Sequence, residues 1–272
     1  GYVSSANQHP VNKTYPYYYY SHNYEMYRGR RLIERLESID NVEINDIKKI
    51  QNDNFNYKAY EVLPLILDEI DTSKLTYEQK IYFKNLKNWD YFAEVSNENQ
   101  VVFNEWWNNL YKNIWDEFDS LKYPYRKPNS FRTYKLIKED KNSKFYDVIS
   151  TSKNESLNDL INKSFLEITV KLDTFKKRNS LKKIKWDHYK NTTINHLLRI
   201  KSFSYDSVSI GGYRNILNAA SERHGPSFRL IVKLKQNEKT KAWGVYPGGQ
   251  SGNIGSKNYF GAVSYTHLRA HE

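Results

Sequence analysis

The spacing of apolar residues changes near Ser207, and that change limits the fold more than any other feature. From Tyr24 to about residue 200 the apolar side chains recur mostly at helical intervals, with a mixed stretch from Pro124 to Asn154. From Ser207 they recur every second residue. Val208 and Ile210 alternate with Ser207 and Ser209, then Gly211 and Gly212 break the run. Phe228, Leu230, Val232 and Leu234 alternate with Arg229, Ile231, Lys233 and Lys235. A second strand is predicted over Ala242 to Tyr246, joined to the first by Gln236 to Lys241, a link with no Gly or Pro. Helices followed by strands predict an α+β fold.

The helical part divides at its capping residues. Tyr24, Tyr27, Leu32, Leu36 and Ile39 share one face, and Asn45 is a predicted N-cap for a short helix through Ile47 and Ile50. Phe55 to Ile70 forms another, with Pro64 predicting a kink or a fresh start. Thr76 and Gln79 have capping-box spacing ahead of a stripe of Tyr82, Leu86 and Trp89. The strongest helix spans Val101 to Leu121, with Phe103, Trp106, Trp107, Leu110, Ile114, Trp115, Phe118 and Leu121 on a wide apolar stripe. Rings at that spacing predict core. Ser152 and Glu155 are predicted to cap a helix carrying Leu157, Leu160, Ile161, Phe165, Ile168 and Leu172.

Composition supports a globular chain. Its 24 Tyr and 6 Trp among 272 residues supply large buried area despite a hydrophobic fraction of 39%. The net charge of +11 comes mostly from scattered lysines, which reads as a solvated surface rather than a nucleic-acid face. Without cysteine there is no disulfide, thiolate metal site or Cys nucleophile. No run approaches the ~18 apolar residues of a membrane span.

Chemistry-bearing motifs are scarce. Pro247 to Asn253 holds three glycines but neither GxxxxGK[ST] nor GxSxG, so it is not a phosphate loop and Ser251 has no support as a nucleophile. His188 and His196 lie eight apart with no HExxH, and structural roles are expected for both. The aromatic loop Tyr15 to Tyr20 could stack on a sugar or base, or pack onto the body. The residues alone stop at an α+β domain with a tight glycine loop.

Several segments in order carry a resemblance. They are Gly211, Gly212 and Tyr213; Asn218 and Ala219; Gly225 to Arg229; and Gly244 to Asn253. At the other end stand Ser5, Ala6, Asn7, Gln8 and Pro10, then Tyr15 and Pro16, then Tyr27, Arg28, Arg31 and Leu32. Gln51, Asp53, Ala59, Leu63 and Pro64, with Trp186, His196 and Leu197, lie between. Together they resemble the penicillin acylase (penicillin amidase) family of N-terminal-nucleophile amidohydrolases, over residues 1–259 with a weak middle from about Leu75 to Lys185.

The resemblance implies a four-layer αββα core in a whole enzyme. This chain would supply a helical block (about residues 24–200) and core strands (about 1–8 and 207–247). It implies hydrolysis of the side-chain amide of a penicillin-like or other N-acyl compound by the first residue of the catalytic chain, whose α-amine is the base. By position Asn7 matches the asparagine that holds the oxyanion, with a local Asx-turn before Pro10 as the competing reading. Arg28 matches a supporting arginine. Arg31 lies close enough to exchange with it, and a helix-surface arginine competes.

Three departures stand out. The nucleophile is expected upstream of Gly1, so the chain is read as a C-terminal fragment, inactive alone, whose partners are the upstream part of its own precursor and a small N-acyl amide. Tyr17 to Tyr20 occupy the place of a calcium carboxylate in some relatives, so no cofactor is expected here. Residues 261–272 read as a non-native tail, ending the family part near residue 260. The resemblance places such enzymes in the periplasm or outside the cell. The alternative function is a non-catalytic basic, aromatic-rich module that binds glycan or nucleic acid.

Overall fold

The structure is a computed structural model that describes residues 1–12, 14–17, 25–121, 123, 125–223, 225, 228–245 (the side chain of Val245 excepted) and 251–259. In chain order the helices are α1 (Tyr27–Glu37), α2 (Ile44–Gln51), α3 (Tyr57–Leu67), α4 (Tyr77–Lys87), α5 (Glu98–Ile114), α6 (Glu117–Ser120), α7 (Ser130–Glu139), α8 (Leu157–Arg178) and α9 (Trp186–Lys190). Four strands follow: β1 (Thr192–Ile194), β2 (Tyr205–Val208), β3 (Arg229–Lys233) and β4 (Lys241–Val245). β1 pairs with β2, and β3 with β4, both antiparallel. The fold is α+β.

The core forms where the stripes of α5 and α8 meet. Trp106, Trp107, Phe103, Leu110 and Ile114 are buried on α5, against Leu160, Ile161, Phe165, Ile168 and Leu172 of α8. The Trp106 ring lies 4.8 Å from that of Phe165, and its Nε1 donates to Ser164 Oγ at 3.1 Å. The indole thus buries a large apolar area and still satisfies its one polar atom. α4 adds Tyr82 and Leu86 to this core, with Trp89 just beyond its end.

Ordinary hydrogen-bonding rules explain the element ends. Thr76 and Gln79 form the predicted capping box of α4. Elsewhere the caps differ from expectation. α2 is capped by Glu43 with Asp46, which leaves Asn45 inside the helix. α8 is capped by Ser156 with Asp159, four residues past the predicted pair. The Glu155 carboxylate instead accepts from the backbone N–H of Val148 and the Thr151 hydroxyl. α3 runs through Pro64 without restarting. The predicted Val101–Leu121 helix ends at Ile114, α6 follows as a separate short turn, and Leu121 is exposed.

Two further expectations are corrected. Residues 1–8 do not form a strand, and no shared sheet joins them to the C-terminal strands. A strand needs a hydrogen-bonded neighbour, and this segment has none among the described residues; Val3 is fully exposed. The predicted helical block also contains β1, which the C-terminal β2 recruits as its partner.

A seam of backbone bonds joins the helices to the C-terminal segment. Asn56 N–H donates to Tyr91 O at 2.8 Å and Ala93 N–H to Asn54 O at 2.9 Å. Gly212 N–H then donates to Ala93 O, and Asn218 N–H to Asp53 O. The motif residues 211–218 are therefore stitched onto the segments just before α3 and just after α4.

Candidate functional site: Asn7 and the arginines of α1

The N-terminal segment runs antiparallel to α1 along its surface. Tyr2 OH donates to Glu37 at one end, and Gln8 packs on Gly29 at the other. A Cβ on Gly29 would stand 3.2 Å from Gln8 Oε1, so a glycine in this helix lets the segment lie close. Gln8 folds back on its own chain: its amide donates to Ser4 O, and its Oε1 accepts from Ala6 N–H. The resulting bend puts Asn7 at φ 63°, a left-handed conformation that asparagine tolerates better than most residues. Gly29 was not singled out in the sequence; a lone glycine within a helical pattern was the available signal.

Asn7 is exposed, and Arg28 reaches it. Arg28 NH2 donates to Asn7 Oδ1 at 2.5 Å. The oxygen of the carboxamide is thereby committed to the guanidinium, and the orientation follows from that bond. The Nδ2 amine is left as a donor with no partner among the described residues. No local Asx-turn bond to Asn7 Oδ1 is present among them, and Gln8 performs the local pinning instead.

The neighbouring arginines diverge because successive helical residues are rotated by about 100°. Arg30 binds Glu61 and lies over the Tyr57 ring. Arg31 is buried and binds Asp53 through Nε and NH2, the shortest bond being 2.7 Å, and it stacks on Phe55 at 4.3 Å. Arg31 is therefore engaged elsewhere, and of the two candidates it is Arg28 that meets Asn7.

The C-terminal motif residues form a second, structural cluster. Asn218 Nδ2 donates to Asn54 Oδ1 at 2.8 Å, and Arg229 donates to both Asn218 and Asn52. Gly212 has φ 69°, and a Cβ there would overlap the Asn218 carbonyl oxygen. Lys190 is buried, and its ammonium donates to the carbonyls of Ile210, Gly211 and Gly212. Burial lowers its pKa to about 7, partly offset by the charges of Glu222 and Asp187. The glycine pair is thus a close-packed crossing, not a ligand loop.

Other candidates resolve as follows. Residues 247–250 of the glycine loop, Tyr18 to Tyr20 and the 261–272 tail lie outside the described residues. None of the hydrogen bonds among the described residues joins Asn7 to Ser251 or Asn253. Tyr15 and Tyr17 are exposed and meet edge to face at 5.8 Å. His196 accepts a hydrogen bond from Leu198 N–H, and His188 is 3.9 Å from Asp187. Among the described residues no three His, Asp or Glu side chains converge as metal ligands, and no helix is long and apolar enough to cross a membrane.

The family model described as penicillin amidase matches residues 1–264, and the chain belongs to the penicillin amidase family. No curated protein matches it.

Proposed function

We propose that this chain is part of an acylase that hydrolyses the side-chain amide of a penicillin-like or other N-acyl compound, with Asn7 as an oxyanion donor. The observation that carries the reading is the Arg28–Asn7 bond. Attack on an amide carbonyl places negative charge on its oxygen, and a preorganised N–H donor stabilises that charge most where water is excluded. Arg28 holds the Asn7 oxygen, presents the Nδ2–H outward and polarises the amide, which strengthens it as a donor. The amide adds no titrating charge of its own.

Asn7 lies on the surface of this chain, so the reading requires the substrate and further polypeptide to cover it. On the family pattern the nucleophile and its free α-amine come from polypeptide outside these residues, as does most of the acyl pocket. The four-layer core would be completed in the same way. A periplasmic or extracellular location and independence from calcium are part of the same proposal. The binding-module alternative draws little support, since Trp89, Trp106, Trp107, Trp115 and Trp186 are all buried.

The test is kinetic. The chain alone is expected to leave a phenylacetyl amide intact. In the enzyme completed with a nucleophile-bearing chain, Asn7→Ala is expected to lower kcat by about 10²–10³. A near-normal rate in that variant would remove Asn7 from the site.

A further inference from the structure

A cleft of about 540 Å³ opens between α1 and α2, away from Asn7. Arg31 and Arg35 are one turn apart on α1 and share its face toward the cleft. Lys48 and Lys49, in the last turn of α2, line the opposite side. Two carboxylates are present, and both are engaged. Asp53 is bound through both oxygens by Arg31, and Glu94 accepts from Asn54 Nδ2 at 3.0 Å.

Arg35 is only partly engaged. Its Nε forms a long ion pair with Asp53 Oδ2 at 3.7 Å, beyond hydrogen-bond range, and is buried without a hydrogen-bond acceptor among the described residues. Lys48 and Lys49 form no ion pair among them. The dipole of α2 favours lysines at its C-terminal turn, but it gives no reason for a guanidinium without side-chain hydrogen bonds facing them.

We propose that this cleft binds a small multivalent oxyanion, through Arg35, Lys48 and Lys49, with Phe92 as an apolar wall. Guanidinium and ammonium groups converging on a partly enclosed space suit charge-assisted bonds to anionic oxygens. Three cationic side chains around the cleft match a ligand with at least two anionic groups, either phosphoryl or carboxylate. The inference is independent of the acylase reading, because none of these residues touches Asn7 or Arg28.

Pyrophosphate and citrate, titrated into the 272-residue chain at ionic strength fixed with potassium chloride, separate the two sources. Calorimetry should show saturable binding of at least one of them, with a rise in Tm of about 2 °C or more at saturation. Pyrophosphate alone identifies a phosphoryl ligand, citrate alone a polycarboxylate, and both a site selective only for charge. Arg35→Gln or Lys48→Gln should weaken binding about tenfold or more, while Lys183→Gln, outside the cleft, should not. The Arg35 side chain is partly exposed and makes no hydrogen bond among the described residues, only the long ion pair to Asp53, so its replacement is expected to leave the fold intact. Absence of saturable binding, or affinity unchanged in both cleft variants, overturns the proposal.

Discussion

Lys58 is a cation buried inside the helical core. It sits on α3, with its ammonium 5.3 Å from the Trp107 ring and 5.9 Å from that of Phe103, and it has no hydrogen bond among the described residues. Burial lowers its pKa to about 8, and the charge of Glu25 offsets part of that. An unfolded lysine titrates near 10.4, so between pH 8 and 10 the unfolded chain holds more protons. Stability therefore rises with pH across that window, and the contribution is lost as pH falls to about 8. Lys190, at about 7, adds to the same trend. Lys58→Met is expected to be more stable than the parent at pH 7 by about 2 kcal/mol, because it removes the unpaired charge and keeps the length. Its urea midpoint should also rise less between pH 7 and pH 9. Equal slopes in parent and variant would show that Lys58 is not the titrating group.

The start of α8 shows how far local spacing carries an argument about an element. Two serines, Ser152 and Ser156, each have an acidic residue three positions on. Only Ser156 caps, with Asp159 bonded back to its N–H and hydroxyl. Bonds from Lys153 and Ser156 hold the Asp159 carboxyl well below the usual carboxylate range. Ser156→Ala is expected to cost about 1 kcal/mol in denaturant unfolding, and Ser152→Ala to fall within about 0.5 kcal/mol of the parent. Helices were legible in the sequence because periodicity and caps act over one or two turns. The absence of a strand over residues 1–8 was not, since a strand depends on a partner supplied from elsewhere in sequence. Asn7 and Arg28 were legible only through the family's residue order. The bond between them depends on Gln8 and Gly29, whose spacing signals nothing by itself.

For the molecule as a whole, the hairpin of β3 and β4 is attached differently from the helices. One face lies on α2, held by Arg229, by the bond from Gln51 to Leu230 O, and by the Lys233–Glu43 ion pair. The other carries Leu230 and Val232, paired with Gly244 and Ala242, and both side chains remain nearly half exposed. Period two showed which residues share a face, but not that the apolar face would be the open one. In native-state hydrogen exchange the amides of β3 and β4 are expected to exchange at least about a hundredfold faster than those of α5 and α8. Protection equal to that of the helices would mean that hairpin and core open as one unit. Two strands with no third strand beside them among the described residues, and with an apolar face, are a ready template for further strands. An opening that frees the hairpin while the helices stay folded would expose this face, so self-association is expected to rise with concentration under conditions that loosen the hairpin alone.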